Sequence, residues 1–503
     1  MIMEMGMKRI IAFIFWACFI LSTVTFQACD GLDENYSTNP SLRLDFSTDT
    51  LAFDTVFTTI GSATKQFMIY NHNDEPLNME TIMLAGAGST GFRINVDGRK
   101  GDYFNNIGIL AKDSMFVFVE VTVNPNGENQ PLLVKDSVVF VTNGIRQSVL
   151  LEAYGQDVHL YKGGLTVTKD TLFSADKPHL VYDSIVVAQG ATMRIEKGAT
   201  FYMHDKADLI VNGRLNSCGS IEQPITFRGD RLDFILDDVL PYDRTPGQWG
   251  GIYLRNESFG NLVSHTIIRN GTQGIIAEPS TPDQLKLTLS NSQITNVTEN
   301  AFCATNSKVV VYNTEISNAG GSVAGLVSGD YNFTHCTLAN FITLAQRSSV
   351  CLSLSNNYSK NGEEIIQPLN ARFDNCIIDG SYGAGSEELN GEIARSIKDG
   401  ASFDFLFNHC VITTNGTEDA HFQSVIFVND ETRPQYKLTG GESNKYRYDF
   451  HLASEESAGV GAADPSVTAS YPIDRNGVNR LTSPFGPTIG AYEYVPEEEE
   501  PQE

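Results

Sequence analysis

The sequence is short of positive charge: 35 Lys and Arg stand against 61 Asp and Glu, a formal net charge of -26. Nucleic acid and anionic membrane surfaces attract basic proteins, so broad contact with either is excluded. A neutral, cationic or metal-bridged partner fits the charge better, and the same charge keeps an exposed protein soluble. No CxxC or HxxxH spacing occurs, which removes the common zinc patterns and implies no resident metal or cofactor. The apolar run from Ile10 to Val24 is too short for a comfortable transmembrane helix. It follows Lys8 and Arg9 and has the length of a signal-peptide core. At 503 residues the chain exceeds one ordinary core, so several domains or an elongated solenoid are expected.

What the sequence does contain is self-similarity. VSHTIIRN from Val263, LSNSQITN from Leu289, VYNTEISN from Val311, FTHCTLAN from Phe333, FDNCIIDG from Phe373 and FNHCVITT from Phe407 share one pattern. Each reads apolar, any residue, Asn or His, Ser/Thr/Cys, any residue, Ile or Leu. The starts differ by 26, 22, 22, 40 and 34 residues, a unit near 22 with insertions in the last two steps. Repeats of that period mark a stacked solenoid.

In a parallel coil the fourth and sixth positions share a strand face, so Thr266/Ile268, Ser292/Ile294, Thr314/Ile316, Cys336/Leu338, Cys376/Ile378 and Cys410/Ile412 should point inward. The thiols then replace hydroxyls as small core side chains rather than pairing as disulfides. The third position (His265, Asn291, Asn313, His335, Asn375, His409) falls at a corner, where Asn tolerates left-handed dihedrals. Asn-bearing copies separate the aligned histidines, which argues against a metal site.

Two segments carry family resemblances. From Asp45 to about Val158, short runs rich in Val, Ile, Phe and Thr (51–57, 65–70, 77–84, 114–123, 136–142 and 147–153) predict a β-sandwich. FDTVFTTIGSATKQFMIYNHNDEPLNMETIML, FRINV, DSMFVFVEVTVNP and VLLEAYGQD in that order resemble ASH/Hydin-type immunoglobulin-like domains, which implies a spacer or interaction module without catalytic residues. From Leu165 the Gly-punctuated run DSIVVAQGATMRIEKGATFYMHDKADLIVNGRLNSCGSIEQPITFRGD, then QWGGIYL, the six repeats and DRNGVNRLTSPFGPTIGAYEY, resemble right-handed parallel β-helices of the pectate-lyase-like type. That fold carries lyases, hydrolases, epimerases, adhesins and stalks, so it implies architecture more than activity.

Thr25-Phe26-Gln27-Ala28-Cys29 resembles a bacterial lipobox, and Asp30, Asp33 and Glu34 resemble the tag that sends Bacteroidota lipoproteins to the cell surface. The resemblance implies acylation of Cys29 and an outer-membrane lipoprotein, anchored by lipid and exposed at the surface. Asp-Thr or Asp-Ser followed by an aliphatic residue or Met, at Asp49, Asp54, Asp113, Asp136, Asp170 and Asp183, resembles the O-glycosylation acceptor of the same bacteria.

The reading is therefore an all-β chain. It predicts a signal peptide (1–28), an acidic tether (29–44), an Ig-like sandwich (45–158), a β-helix with its C-terminal segment (159–494) and an acidic disordered tail (495–503). Binding of a polysaccharide or another cell surface is the leading expectation, with a polysaccharide lyase or hydrolase and an inert stalk as alternatives. Under the lyase alternative, Asp230, Asp233, Asp237 and Asp238 would gather Ca²⁺, with Arg231 or Arg244 as base or charge clamp. The G-H-G and R-I-K strings of polygalacturonases are missing, and the carboxylates are expected to spread along a loop. Trp249 is a candidate sugar platform, with a place capping the core as the competing reading. The insertions between Asn357 and Gly400 supply long loops, where binding residues commonly lie.

Overall fold

The computed structural model describes residues 35–236, 239–382, 391–429 and 431–496. Cys29 with the signal segment, Asp237, Asp238 and the end of the acidic tail lie outside the described residues. Two compact units are present: residues up to Asn124 with Leu132–Gly155, and Pro125–Pro131 with Gln156 onward. The boundary falls slightly earlier than the sequence suggests. Asp157 accepts hydrogen bonds from the backbone N–H groups of Asn126 (3.3 Å) and Gly127 (2.8 Å), which ties the 125–131 loop to the second unit.

The first unit is a sandwich of two five-stranded antiparallel sheets. One holds Lys65–Tyr70, Ser114–Val121 and Phe92–Val96 between short edge strands; the other holds Thr50–Phe57, Ile145–Gln156, Leu132–Thr142, Leu77–Leu84 and Tyr103–Ile109. Alternation decides which face is buried: Val117, Val119 and Val121 are sealed in the core, while Phe116 and Phe118 on the alternate positions stay exposed. Tyr103–Ile109 has little apolar alternation and gave no strand signal in the sequence.

The second unit is a parallel β-helix. Its strands stack into an 11-stranded and a 17-stranded parallel sheet. Ile268, Ile294, Ile316, Leu338, Ile378 and Ile412 occupy successive in-register positions and are all sealed from solvent. Burying each such side chain is worth roughly 1.5–3 kcal/mol, so the ladder is a main source of stability. Phe333, Phe373, Phe407 and Phe422 form a parallel aromatic stack with ring centroids 5.1, 4.8 and 5.3 Å apart. Cys336, Cys376 and Cys410 lie buried beside it at the expected inward position.

The corner residues behave as their chemistry requires. His265, Asn291, Asn313, His335, Asn375 and His409 all have left-handed φ, between 46° and 54°. Asn is among the few side chains that enter this region at low cost, and each of these residues still donates its N–H to the next coil. The eighth repeat position forms a second such corner at Asn270, Asn296 and Asn318, with φ of 67°, 55° and 53°. The insertions leave the helix without breaking its register: Asn357–Lys360 and Glu363–Ile366 form a separate antiparallel ribbon. Among the described residues no helix is long and apolar enough to cross a membrane.

Candidate functional site

The strands that bury Ile268, Ile294 and Ile316 must present their odd positions outward. Those positions hold Arg269, Gln293, Thr295 and Glu315, with Gln293 beside Glu315 and Arg269 beside Thr295 across the ladder. Opposite them stands the C-terminal segment, in which Tyr436–Thr439 pairs with Tyr448–Leu452. Between the two lies a cleft of about 440 Å³, completed by Asp243, Arg244, Asn296, Tyr446, Arg447, Asp449, His451, Arg475 and Tyr492. Its size falls in the usual range for small-ligand sites.

Hydrogen bonds fix the floor. Glu315 is buried and accepts from Gln293 Nε2 (3.0 Å), Ser317 Oγ (2.7 Å) and the Tyr492 hydroxyl. Burial, reinforced by the Glu315 charge, pushes the Tyr492 hydroxyl well above its ordinary range, so it stays a donor. Arg475 crosses the Tyr492 ring and donates to its hydroxyl (3.2 Å) and to the Ser292 carbonyl (3.2 Å). His451 stacks on that ring, with centroids 3.9 Å apart, and bonds Asp449 through Nδ1 at 2.5 Å. Burial raises the Asp449 pKa, but the His451 hydrogen bonds and charge outweigh it and hold this carboxyl below its usual range.

The rim is built differently. Lys445 and Tyr446 both adopt left-handed φ, 49° and 56°, a conformation that disfavours a bulky ring. Among the described residues, no hydrogen bond or ring contact holds the Tyr446 side chain, which is half-buried beside the cleft. Arg244, on the loop that also carries Asp243, donates to the Lys445 carbonyl at 2.6 Å.

The residues singled out from sequence are mostly elsewhere. Asp230 pairs with His204 (2.6 Å), and Asp233 is gripped by Arg231, whose guanidinium lies 4.0 Å from the Tyr242 ring centroid. Burial raises the Asp230 pKa, with His204 opposing it. Each of these two carboxylates thus has its own side-chain partner. Among the described residues no group of three or more His, Cys, Asp or Glu converges to hold a metal ion. Arg231, fixed by Asp233, is not positioned as a base. Trp249 corrects its candidate role: it is 0% exposed and donates Nε1–H to the Arg269 carbonyl (2.8 Å), so it caps the core and offers no platform to a sugar. Of the five candidates among the described residues, Arg244 alone lines the cleft. Sequence reasoning missed Tyr446, Tyr448, Asp449 and His451, although YRYDFH, a dense aromatic and charged string, was the available signal.

Two further hollows among the described residues are of comparable size. One, of about 480 Å³, lies on the outer sheet face of the sandwich, where Arg93, Glu120 and Thr64 already pair with partners on that face. The other, of about 450 Å³, is a shallow groove along the loops at Ser280, Asn306, Gly329 and Gln367.

No protein family and no curated protein matches the chain. Solved structures with partial similarity include a family 123 glycoside hydrolase from Clostridium perfringens, at 8% identity and a TM-score of 0.17, covering 23% of this chain and 27% of that one. An ASH/PapD-like domain of human CEP192 is similar at 11% identity and a TM-score of 0.15, covering 26% of this chain and 96% of that one. The Agl-KA catalytic domain is similar at 10% identity and a TM-score of 0.26, covering 70% of this chain and 81% of that one. The chain therefore spans about a quarter of the first of these, and none of the three likenesses is close enough to carry an argument about function.

Proposed function

We propose that the protein is a surface-anchored lipoprotein whose β-helix binds a glycan in the cleft between the Arg269–Thr295–Glu315 face and the C-terminal segment. The observation that carries this reading is Tyr446. A bulky residue held in left-handed backbone costs on the order of 1–3 kcal/mol, and such strain collects at ligand sites. Here it places an unpartnered aromatic face at the rim of a cleft rich in polar groups. Sugars need both: ring faces stack on aromatics, and hydroxyls pair with amides, carboxylates and guanidinia.

Anchoring enters through the sequence. Cys29 stands directly behind the signal core, and its acylation would hold the protein at the outer membrane. Cys29→Ala should release the protein from membranes or block its maturation; an unchanged membrane fraction would remove the lipoprotein reading.

The cleft is tested by screening the purified full-length soluble chain against a glycan array, wild type beside Tyr446→Ala. Binding that is lost in the variant supports the reading. Identical profiles, or no binding by the wild type, would sink it in favour of a stalk. Because the described carboxylates are individually paired, acidic polysaccharides with Ca²⁺ should yield no unsaturated product.

A further inference from the structure

Seven charged side chains besides His451 line the cleft: the cations Arg244, Arg269, Arg447 and Arg475, and the anions Asp243, Glu315 and Asp449. Every anion is engaged. Asp243 Oδ1 meets both Arg228 and Arg269 at 3.0 Å. Glu315 is held by Gln293, Ser317 and Tyr492, and Asp449 by the side chain and backbone N–H of His451. Arg269 shares Asp243 with Arg228, and Arg475 is built into the wall through Ser292 and Tyr492.

Arg244 and Arg447 remain. Among the described residues neither forms an ion pair with a carboxylate, and both line the same cleft; burial and then the charge of Arg447 lower the pKa of Arg244, with the charge of Asp243 opposing them. The Lys445 carbonyl fixes one guanidinium nitrogen of Arg244, and Arg447 is exposed two residues further along the same strained turn. In a chain of net charge -26, two mutually repelling guanidinia without carboxylate partners at a cleft are an unusual concentration of positive charge. An anion between them would turn repulsion into two charge-assisted contacts, and the guanidinium fork matches the oxygens of a carboxylate or sulfate.

We propose that Arg244 and Arg447 form a subsite for an anionic substituent, a carboxylate or a sulfate ester, carried by the glycan that occupies the cleft. This rests on the glycan reading given above. It adds a charge requirement that the reading does not contain, because a neutral sugar could use Tyr446, Gln293 and Asn296 alone.

The test is calorimetric titration of the full-length soluble chain with three tetrasaccharides: hyaluronan (carboxylate only), κ-carrageenan (sulfate only) and cellotetraose (neutral). At least one anionic probe should bind, with affinity that falls as salt rises, and the probe that binds identifies the substituent. Arg447→Gln and Arg244→Gln should each weaken binding about tenfold or more, while Arg447→Lys, which keeps the charge but lacks the fork, should lie between. Arg447 is exposed, so its variants test the subsite without endangering the fold. Cellotetraose binding as tight as the anionic probes and unchanged in both Gln variants would overturn the subsite and leave the glycan reading standing. No binding of any probe by the wild type would overturn both.

Discussion

The Tyr492 hydroxyl donates to the Glu315 carboxylate, joining residues 177 positions apart in the chain. This bond fastens the C-terminal segment to the middle of the solenoid at the floor of the cleft. Hydrogen bonds to buried charges contribute about 1.5–3 kcal/mol each. Tyr492→Phe keeps the ring under His451 but removes the donor, and should lower stability by about 2 kcal/mol in urea unfolding. Unchanged stability would mean that Gln293 and Ser317 satisfy Glu315 alone.

Tyr446 offers a contrary prediction. Replacing it by Gly relieves the left-handed strain, so thermal stability should rise by about 1 kcal/mol while glycan affinity falls. Gain in one measurement with loss in the other is the outcome expected of a residue kept for contact. A destabilised variant would show that the ring is needed for folding.

The first coils carry a pH dependence. His179 is buried in a stack between Tyr161 and Phe201, with Nδ1 3.0 Å from the Tyr161 hydroxyl and Nε2 2.8 Å from the Ser174 carbonyl. Burial lowers its pKa from 6.5 to about 4. Between those values the unfolded chain holds a proton that the fold excludes. Stability from this site is therefore complete above pH 6.5 and declines as pH falls toward 4, by on the order of 3 kcal/mol. His179→Phe should unfold with a shallower dependence over that window; parallel curves for variant and wild type would refute the assignment.

Ile316→Asp places an unpaired charge in the middle of the aliphatic ladder. The loss should be several kcal/mol and should spread to neighbouring coils, because each coil packs only against its neighbours. Normal expression with an unchanged thermal transition would contradict the inward placement.

The solenoid was legible because one register repeats: Thr266 and Ile268 already name the inward face, and five further copies vote for it. The third-position Asn and His named their corner for the same reason, whereas the second corner at Asn270, Asn296 and Asn318 fell just beyond the six-position pattern. The cleft was hidden because it is not periodic. Arg269 and Glu315 look like ordinary outward residues until Tyr492 and Asp449 arrive from far along the chain. Asp230 and Asp233 are near in sequence, yet the expectation that they do not gather agrees with their separate partners, His204 and Arg231. For Trp249, the Gly-rich strand around it already offered the core-capping reading, and the buried ring agrees with that one rather than with a sugar platform.

Two structurally independent sources build the cleft, and this bears on how such a protein can diversify. Inward residues such as Ile294 and Ile316 are constrained by the coils directly above and below them, whereas outward Thr295 and the 445–447 turn are half-buried or exposed. Heritable change can therefore accumulate on the turn and on Thr295 without disturbing the ladder. A lineage of such proteins would keep its scaffold while the lining of its cleft drifts.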